Sequence, residues 1–149
     1  SSDHAGYKLK ELIKLNLEKK YINMKTFKEF QKKVILSKVD FYVLLNRINW
    51  RAKHIYGIGA PSRGSTLINY LGINSEILKC IMEVKGSHKI GKFLPGTSIP
   101  IVEQTNKLLK IADYLLILSW HIKDELKDVL RKKGFKGKFI IPLPKPVVE

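Results

Sequence analysis

Arginine is scarce in this chain of 149 residues, although the chain is strongly basic. Only 4 of its 28 basic residues are arginine (Arg47, Arg51, Arg63, Arg131), so lysine carries most of the formal net charge of +15. Arginine is the residue best suited to bidentate contacts with phosphates and bases. The lysine-dominated charge therefore argues against nucleic acid as a partner, while it still attracts anionic ligands in general.

Cysteine and long apolar runs are also nearly absent. Cys80, the single cysteine, lies in an apolar stretch, which predicts a buried free thiol and excludes a disulfide within the chain. No apolar run reaches the roughly 18 residues of a membrane span, and no signal-peptide pattern is visible. We therefore expect a cytoplasmic location and no membrane partner. Four scattered histidines and one cysteine have no metal-ligand spacing, so no metal site is expected.

Apolar periodicity separates a helical first part from a part in which strands alternate with helices. The pattern predicts a polar segment over residues 1–21 that is either helical or partly disordered, and a main domain over residues 22–149, led by a long helix over about 25–50. Apolar runs predict strands over 54–58, 78–84, 99–102, 114–119 and 139–141, with helices over 63–71, 103–111 and 122–133. This alternation is typical of an α/β fold with a Rossmann-like, doubly wound, mostly parallel sheet of five strands.

The first strand and the helix after it enclose the most informative candidate site. The strand ends in closely spaced glycines, and a hydroxyl-rich segment containing Arg63 then opens the helix. Such a turn and helix N-terminus hold phosphates in many α/β proteins. The predicted phosphate- or substrate-binding residues are Gly57, Gly59, Ala60, Pro61, Ser62, Arg63, Gly64, Ser65 and Thr66. Alternatively, the glycines serve only close packing and Ser62 only caps the helix.

Other strand ends contribute to the same predicted crevice. With the common strand order 3-2-1-4-5, ligands bind between the first and fourth strands, beyond their carboxyl ends. Glu83 ends the second strand, and Ser119, Trp120 and His121 follow the fourth. The Trp–His pair could stack on a base or sugar, or it could cover the core edge and cap the next helix. The basic loop 85–92 is either a lid or a solvated loop.

The glycine spacing bears on which ligand is bound. Gly57, Gly59 and Gly64 give G-x-G-x-x-x-x-G, which is longer than the dinucleotide-binding fingerprint. A nicotinamide-dinucleotide-binding domain is therefore one alternative function. A basic module that binds nucleic acid non-specifically or docks a partner through the long helix is another. Neither a G-x-S-x-G nucleophile turn nor a Cys–His pairing supports a catalytic triad.

Four blocks of sequence resemble, in order, the C-terminal domain of bacterial S-adenosylmethionine-dependent sugar C-methyltransferases. They are residues 57–70 (GIGAPSRGSTLINY), 89–101, 113–120 and 137–144, within a resemblance that covers about 22–149. The matching positions are Gly57, Gly59, Ala60, Arg63, Gly64, Thr66, Asn69 and Tyr70, then Lys92, Pro95, Gly96 and Thr97, and finally Trp120.

The resemblance implies a substrate-recognition domain that helps to close over a nucleotide-linked sugar. It adds Asn69 to the binding residues and implies a candidate lid of Lys89, Lys92, Pro95, Gly96 and Thr97. It also implies that S-adenosylmethionine and the catalytic base belong to a methyl-donor-binding domain of the same or another polypeptide. No catalytic residue and no cofactor are then expected in this chain, and the chain alone should not methylate anything.

Two positions on the predicted rim depart from the family pattern. Glu83-Val84-Lys85-Gly86 stands where the family usually has Asp-x-Asn-Pro, and His121 stands where it commonly has Asn. Because both positions adjoin the predicted crevice, they bear on which sugar or nucleotide is bound.

Overall fold

The computed structural model describes the backbone of residues 2–21 and 24–149, with the side chains of residues 6–16 and 24–149. The chain forms two compact units, Ser1–Leu36 and Ser37–Glu149. The first contains helix α1 (Ser2–Tyr21) and the beginning of helix α2 (Met24–Arg47). The second begins within α2 and contains the entire described sheet, so it carries the candidate site.

A mostly parallel sheet of six strands forms the centre of the second unit. The strands are β1 (Ile55–Ile58), β2 (Ile81–Glu83), β3 (Ile101–Glu103), β4 (Tyr114–Ile117), β5 (Lys138–Ile141) and β6 (Val147–Val148). Their order is β3-β2-β1-β4-β5-β6, and only the β5–β6 pair is antiparallel. The α/β class and the order of the first five strands are confirmed.

The predicted count of five strands is wrong. Pro142 and Pro144 end β5, as expected from their missing amide donors, but the chain then returns beside β5 and forms β6. Val148 lies opposite Ile140, and Val147 lies opposite Ile141. Strand β6 is therefore the edge strand beside β5 and is antiparallel to it.

Helices pack on both faces of the sheet. Besides α2 they are α3 (Ser62–Leu71), α4 (Asn106–Ile111) and α5 (Lys123–Lys132), and short 3-10 turns lie at Trp50–Ala52 and Trp120–Ile122. Strand side chains alternate between two buried clusters: Ile55 and Leu116 join α2 and α3, whereas Tyr56 and Leu115 join α4 and α5. This alternation follows from the pleat of the strands.

The second half of helix α2 contributes the side chains by which this helix joins the core. Phe41, Leu44 and Leu45 are buried in the cluster that includes strand side chains. Phe27 and Phe30 belong to the same predicted apolar stripe, but they are 57% and 63% exposed. The stripe therefore continues beyond the buried part of the helix. Among the described residues, no helix has the length and hydropathy needed to cross a bilayer.

Candidate functional site

Two adjoining cavities lie at the carboxyl ends of the parallel strands. The first, here called the strand-end cavity, has a volume of about 290 Å³ and is lined by residues at the ends of β1, β2, β3 and β4 and by α5. The second, the loop cavity, has a volume of about 440 Å³ and lies between α3 and the loop of residues 85–100. Ala60 and Lys89 line both cavities, so these two residues border both spaces.

The glycines between β1 and α3 serve backbone conformation and close packing. Gly59 has a φ of +76°, which other residues rarely adopt. A Cβ on Gly57 would lie 2.9 Å from Ile81 Cγ1, and one on Gly64 would lie 3.1 Å from Leu118 Cβ. Gly57 and Gly64 line neither cavity, so their packing explains their presence without a ligand contact.

Glu83 and Lys89 hold the backbone of Ala60 between them. The Ala60 N–H donates to Glu83 Oε1 over 2.7 Å, and Lys89 Nζ donates to the Ala60 carbonyl over 2.8 Å. The Lys89 ammonium also lies 3.8 Å from Glu83 Oε1, and the Glu83 side chain is only 14% exposed. One amide of the predicted anion-binding turn is thus occupied by a carboxylate, while Lys89 borders both cavities.

Backbone hydrogen bonds fix the loop of residues 85–100. The Gly91 N–H donates to the Ile101 carbonyl over 2.9 Å, and the Ile101 N–H donates to the Lys92 carbonyl over 2.8 Å. Further along, the Leu94 N–H donates to the Ile99 carbonyl over 2.9 Å. These bonds continue the pattern of a strand edge into the loop, and they give the wall of the loop cavity a defined shape.

Asn69 connects this loop to helix α3. Its Nδ2 donates to the carbonyls of Ser65 (2.8 Å) and Pro95 (2.9 Å). A Cβ on Gly96 would lie 2.5 Å from Asn69 Oδ1, and Thr97 Oγ1 donates to the Leu94 carbonyl over 2.9 Å. Asn69, Gly96 and Thr97 thus shape the loop, whereas closure of a lid stays a prediction.

The structure brings part of the predicted set together. The strand-end cavity is lined by the predicted residues Gly59, Ala60, Pro61, Glu83 and Lys89, and by Ser119 of the predicted wall. The loop cavity is lined by the predicted residues Ala60, Ser62, Ser65, Lys89, Lys92 and Pro95. The predicted residues outside both linings are Gly57, Arg63, Gly64, Thr66, Asn69, Gly96, Thr97, Trp120 and His121.

Arg63, Trp120 and His121 illustrate these outlying positions. Arg63 and His121 are exposed, and Trp120 is half-buried against the core cluster that contains residues of α4 and α5. The ligand-binding roles predicted for all three residues stay predictions.

Among the lining residues outside the predicted set, Gln104, Phe93 and Lys133 bear most directly on ligand binding. Gln104 directly follows β3, so its place at a strand end was a usable signal; its Oε1 accepts from Lys133 Nζ over 2.9 Å in the strand-end cavity. Phe93 lines the loop cavity and is 61% exposed. Phe93 lies within the block 89–101 that carries the family resemblance, whereas Lys133 has no sequence pattern that would have marked it.

Cys80 is buried and free, which confirms the prediction for this residue. Burial raises the pKa of its thiol to about 11, so the thiol stays protonated and unreactive near neutral pH. Among the residues that the structure describes, no cluster of His, Cys, Asp and Glu side chains could hold a metal ion. The chemistry of the candidate site is therefore that of its lysines, hydroxyls, amide and carboxylate.

A parallel sheet of this order, with cavities at its carboxyl edge, defines an α/β domain of the kind that holds ligands at strand ends. Residues 1–144 match the family model described as "C-methyltransferase C-terminal domain", and the chain belongs to that family. It is also 34% identical over 99 residues to C-methyltransferase NovU of Streptomyces niveus. That alignment covers 64% of this chain and 23% of NovU, so the chain spans about a quarter of its relative. The predicted family is confirmed.

Proposed function

We propose that this domain binds the nucleotide-linked sugar on which a C-methyltransferase acts. The family supplies the reaction class. The observation that carries the substrate assignment is the position of Lys89, which lines two neighbouring cavities with different linings. A nucleotide-linked sugar has a matching arrangement, because its negatively charged diphosphate lies between a hydroxyl-rich ring and a base.

The loop cavity has the chemistry that a diphosphate requires. Lys89 and Lys92 supply ammonium donors, and Ser62 and Ser65 supply hydroxyls from the first turns of α3. Charge-assisted hydrogen bonds to phosphate oxygens are stronger than neutral ones. The positive end of the α3 dipole and the net charge of +15 add to the attraction of an anion.

The strand-end cavity has the chemistry that a sugar ring requires. Glu83, Gln104 and Ser119 offer a carboxylate, an amide and a hydroxyl, which together accept and donate hydrogen bonds as sugar hydroxyls do. Met82, Leu126 and Val129 supply apolar surface beside them. Few placed polar groups on a mostly apolar wall are typical of small-molecule sites.

The residues of these cavities do not fit S-adenosylmethionine, the methyl donor that the family suggests for a full-length enzyme. Lys89, Lys92 and Lys133 would oppose its sulfonium cation. We therefore assign the donor to a part of the enzyme outside this chain. The isolated domain is then expected to bind substrate without transferring a methyl group.

Calorimetric titration of the 149-residue chain with thymidine-diphosphate glucose tests this function. At about 0.15 M salt, Lys89→Met should weaken binding about tenfold or more, because a hydrogen bond to a charged group is lost. Lys92→Met, which leaves the contacts of Ala60 intact, should weaken binding in the same direction. Lys132→Met is the matched control, since Lys132 is an exposed lysine of α5 that lines neither cavity.

Two results would contradict the proposal. One is the absence of binding by the wild-type chain. The other is equal affinity in the wild type, both cavity variants and the control. Thermal unfolding of each variant, followed by circular dichroism, shows whether the folded state is retained.

A further inference from the structure

We propose that the nucleobase of this substrate stacks on Phe93 in the loop cavity, while the sugar ring occupies the strand-end cavity. The inference rests on the function proposed above and adds to it the direction of the ligand and the element that recognises the base.

Phe93 is an exposed aromatic ring on a fixed backbone. Its side chain is 61% exposed, yet Phe93 forms a β-bridge with Pro100, and the adjacent residue Leu94 donates its N–H to the Ile99 carbonyl. Exposed rings on ordered backbone lose little conformational freedom when a planar ligand stacks on them. Among the described residues that line either cavity, the aromatic rings are those of Phe93 and His88.

Charge decides which end of the ligand enters which cavity. Glu83 lines the strand-end cavity, and its carboxylate would repel phosphate oxygens. The loop cavity contains Lys89 and Lys92, and no acidic residue is found among its described lining residues. The diphosphate therefore belongs on the loop side, where Lys92 adds a second ammonium to that of Lys89 and no carboxylate lines the cavity among the described residues.

The positions of the base and the sugar follow from the position of the diphosphate. Base and sugar lie on opposite sides of it, so one must extend along the loop cavity and the other into the strand-end cavity. Phe93 offers the base a stacking surface, whereas Glu83 can accept from sugar hydroxyls through Oε2 while Oε1 holds the Ala60 N–H. The volumes agree with this direction, since the smaller cavity of about 290 Å³ receives the sugar ring and the larger of about 440 Å³ receives the nucleoside, which has two rings.

Thymidine diphosphate, which has a base but no sugar ring beyond its phosphates, separates the two ends. Phe93→Leu should weaken thymidine diphosphate and thymidine-diphosphate glucose by the same factor, about tenfold, as expected for the loss of one base–aromatic contact. Phe30→Leu is the matched control: Phe30 is 63% exposed on α2 and lines neither cavity. Glu83→Gln, which can still accept from the Ala60 N–H, should lower the affinity for the sugar-containing ligand relative to thymidine diphosphate.

The outcomes distinguish this inference from the function on which it rests. Unchanged binding of both ligands by Phe93→Leu would overturn the base assignment and leave the proposed function standing. A loss confined to the sugar-containing ligand in Phe93→Leu would reverse the direction of the substrate. Failure of the wild-type chain to bind either ligand would overturn the proposed function, and this inference with it.

Discussion

At the scale of single residues, Asn69 connects the shared sequence motif to the shape of the site. Its side-chain amide bridges Ser65 in α3 and Pro95 in the loop, although Asn69 lines neither cavity. Gly96 is close enough to Asn69 that a Cβ would collide with the amide. A motif residue can thus act on a binding site by holding the wall of a cavity in place.

Asn69→Ala should therefore loosen the loop. Two hydrogen bonds are lost, so the free energy of unfolding should fall by about 1–2 kcal/mol. Amide hydrogen exchange over residues 94–97 should become faster. Urea unfolding and exchange mass spectrometry measure the two effects, with Asn106→Ala, an exposed residue at the start of α4, as the control. Unchanged exchange in the loop would show that Asn69 does not hold it.

At the scale of elements, helix α3 lies too close to the sheet for an added methyl group. A Cβ on Gly64 would lie 3.1 Å from Leu118 Cβ and 3.2 Å from Pro61 Cδ. Both atoms belong to rigid parts of the structure, a strand-end residue and a proline ring. The absence of a side chain at Gly64 therefore allows α3 to lie this close to the end of β4.

Gly64→Ala should destabilise the domain by about 1–3 kcal/mol, because overpacking outweighs the gain in helix propensity. Gly6→Ala offers the opposite case within the same chain. Gly6 lies in α1, and a Cβ there would have no atom within 4 Å, so stability should stay constant or rise slightly. Urea unfolding of both variants gives the comparison. Equal stability changes at the two glycines would contradict the close packing of α3.

The elements also show what the sequence could and could not predict. Apolar runs located β1 to β5 because buried parallel strands are nearly continuous in hydrophobic residues. Their order is the one common to doubly wound sheets, which the alternation of strands and helices predicts. Strand β6 was missed because Val147 and Val148 are too few to show a pattern, and their pairing with β5 is a tertiary contact. Phe27 and Phe41 belong to the same apolar stripe of α2, yet Phe41 is buried and Phe27 is exposed. Periodicity alone does not show which part of a helix is buried.

The candidate site was predictable in position and only partly in its members. The strand–turn–helix segment and Glu83 lie at the cavities because strand ends of a parallel sheet share one edge. The role of Lys89 was not predictable, since its contact with Ala60 joins positions that are 29 residues apart. Periodicity carries no information about where a lysine in a loop places its ammonium group.

At the scale of the whole molecule, the excess of positive charge makes the few structured carboxylates important for stability. Asp113 accepts from the His54 N–H over 2.8 Å and lies 3.8 Å from Lys53 Nζ. The backbone hydrogen bond from His54, and secondarily the charge of Lys53, lower the pKa of Asp113 below its ordinary value. Its charged form therefore stabilises the fold above the unfolded-state pKa, and this contribution is lost as the pH falls through the lower, folded-state pKa.

Asp113→Asn should remove this pH dependence. The urea midpoint of the variant should lie below that of the wild type at about pH 6, and the two should converge as the pH falls below about 4. Both proteins should also lose stability in acid, because protonation of other carboxylates adds to the net charge of +15. A difference in midpoint that is constant from pH 6 to acid would contradict the role of the Asp113 charge.

We propose that a nucleotide-linked sugar binds at the carboxyl edge of the sheet. Amide chemical shifts of the 149-residue chain, recorded by NMR during titration with thymidine-diphosphate glucose, test it most directly. Binding there should give saturable shifts concentrated at residues 59–65, 83–84, 88–95, 104 and 119, which line the two cavities or adjoin their lining. Shifts spread over the lysines of α1 and α2, or no shifts at saturating ligand, would contradict it.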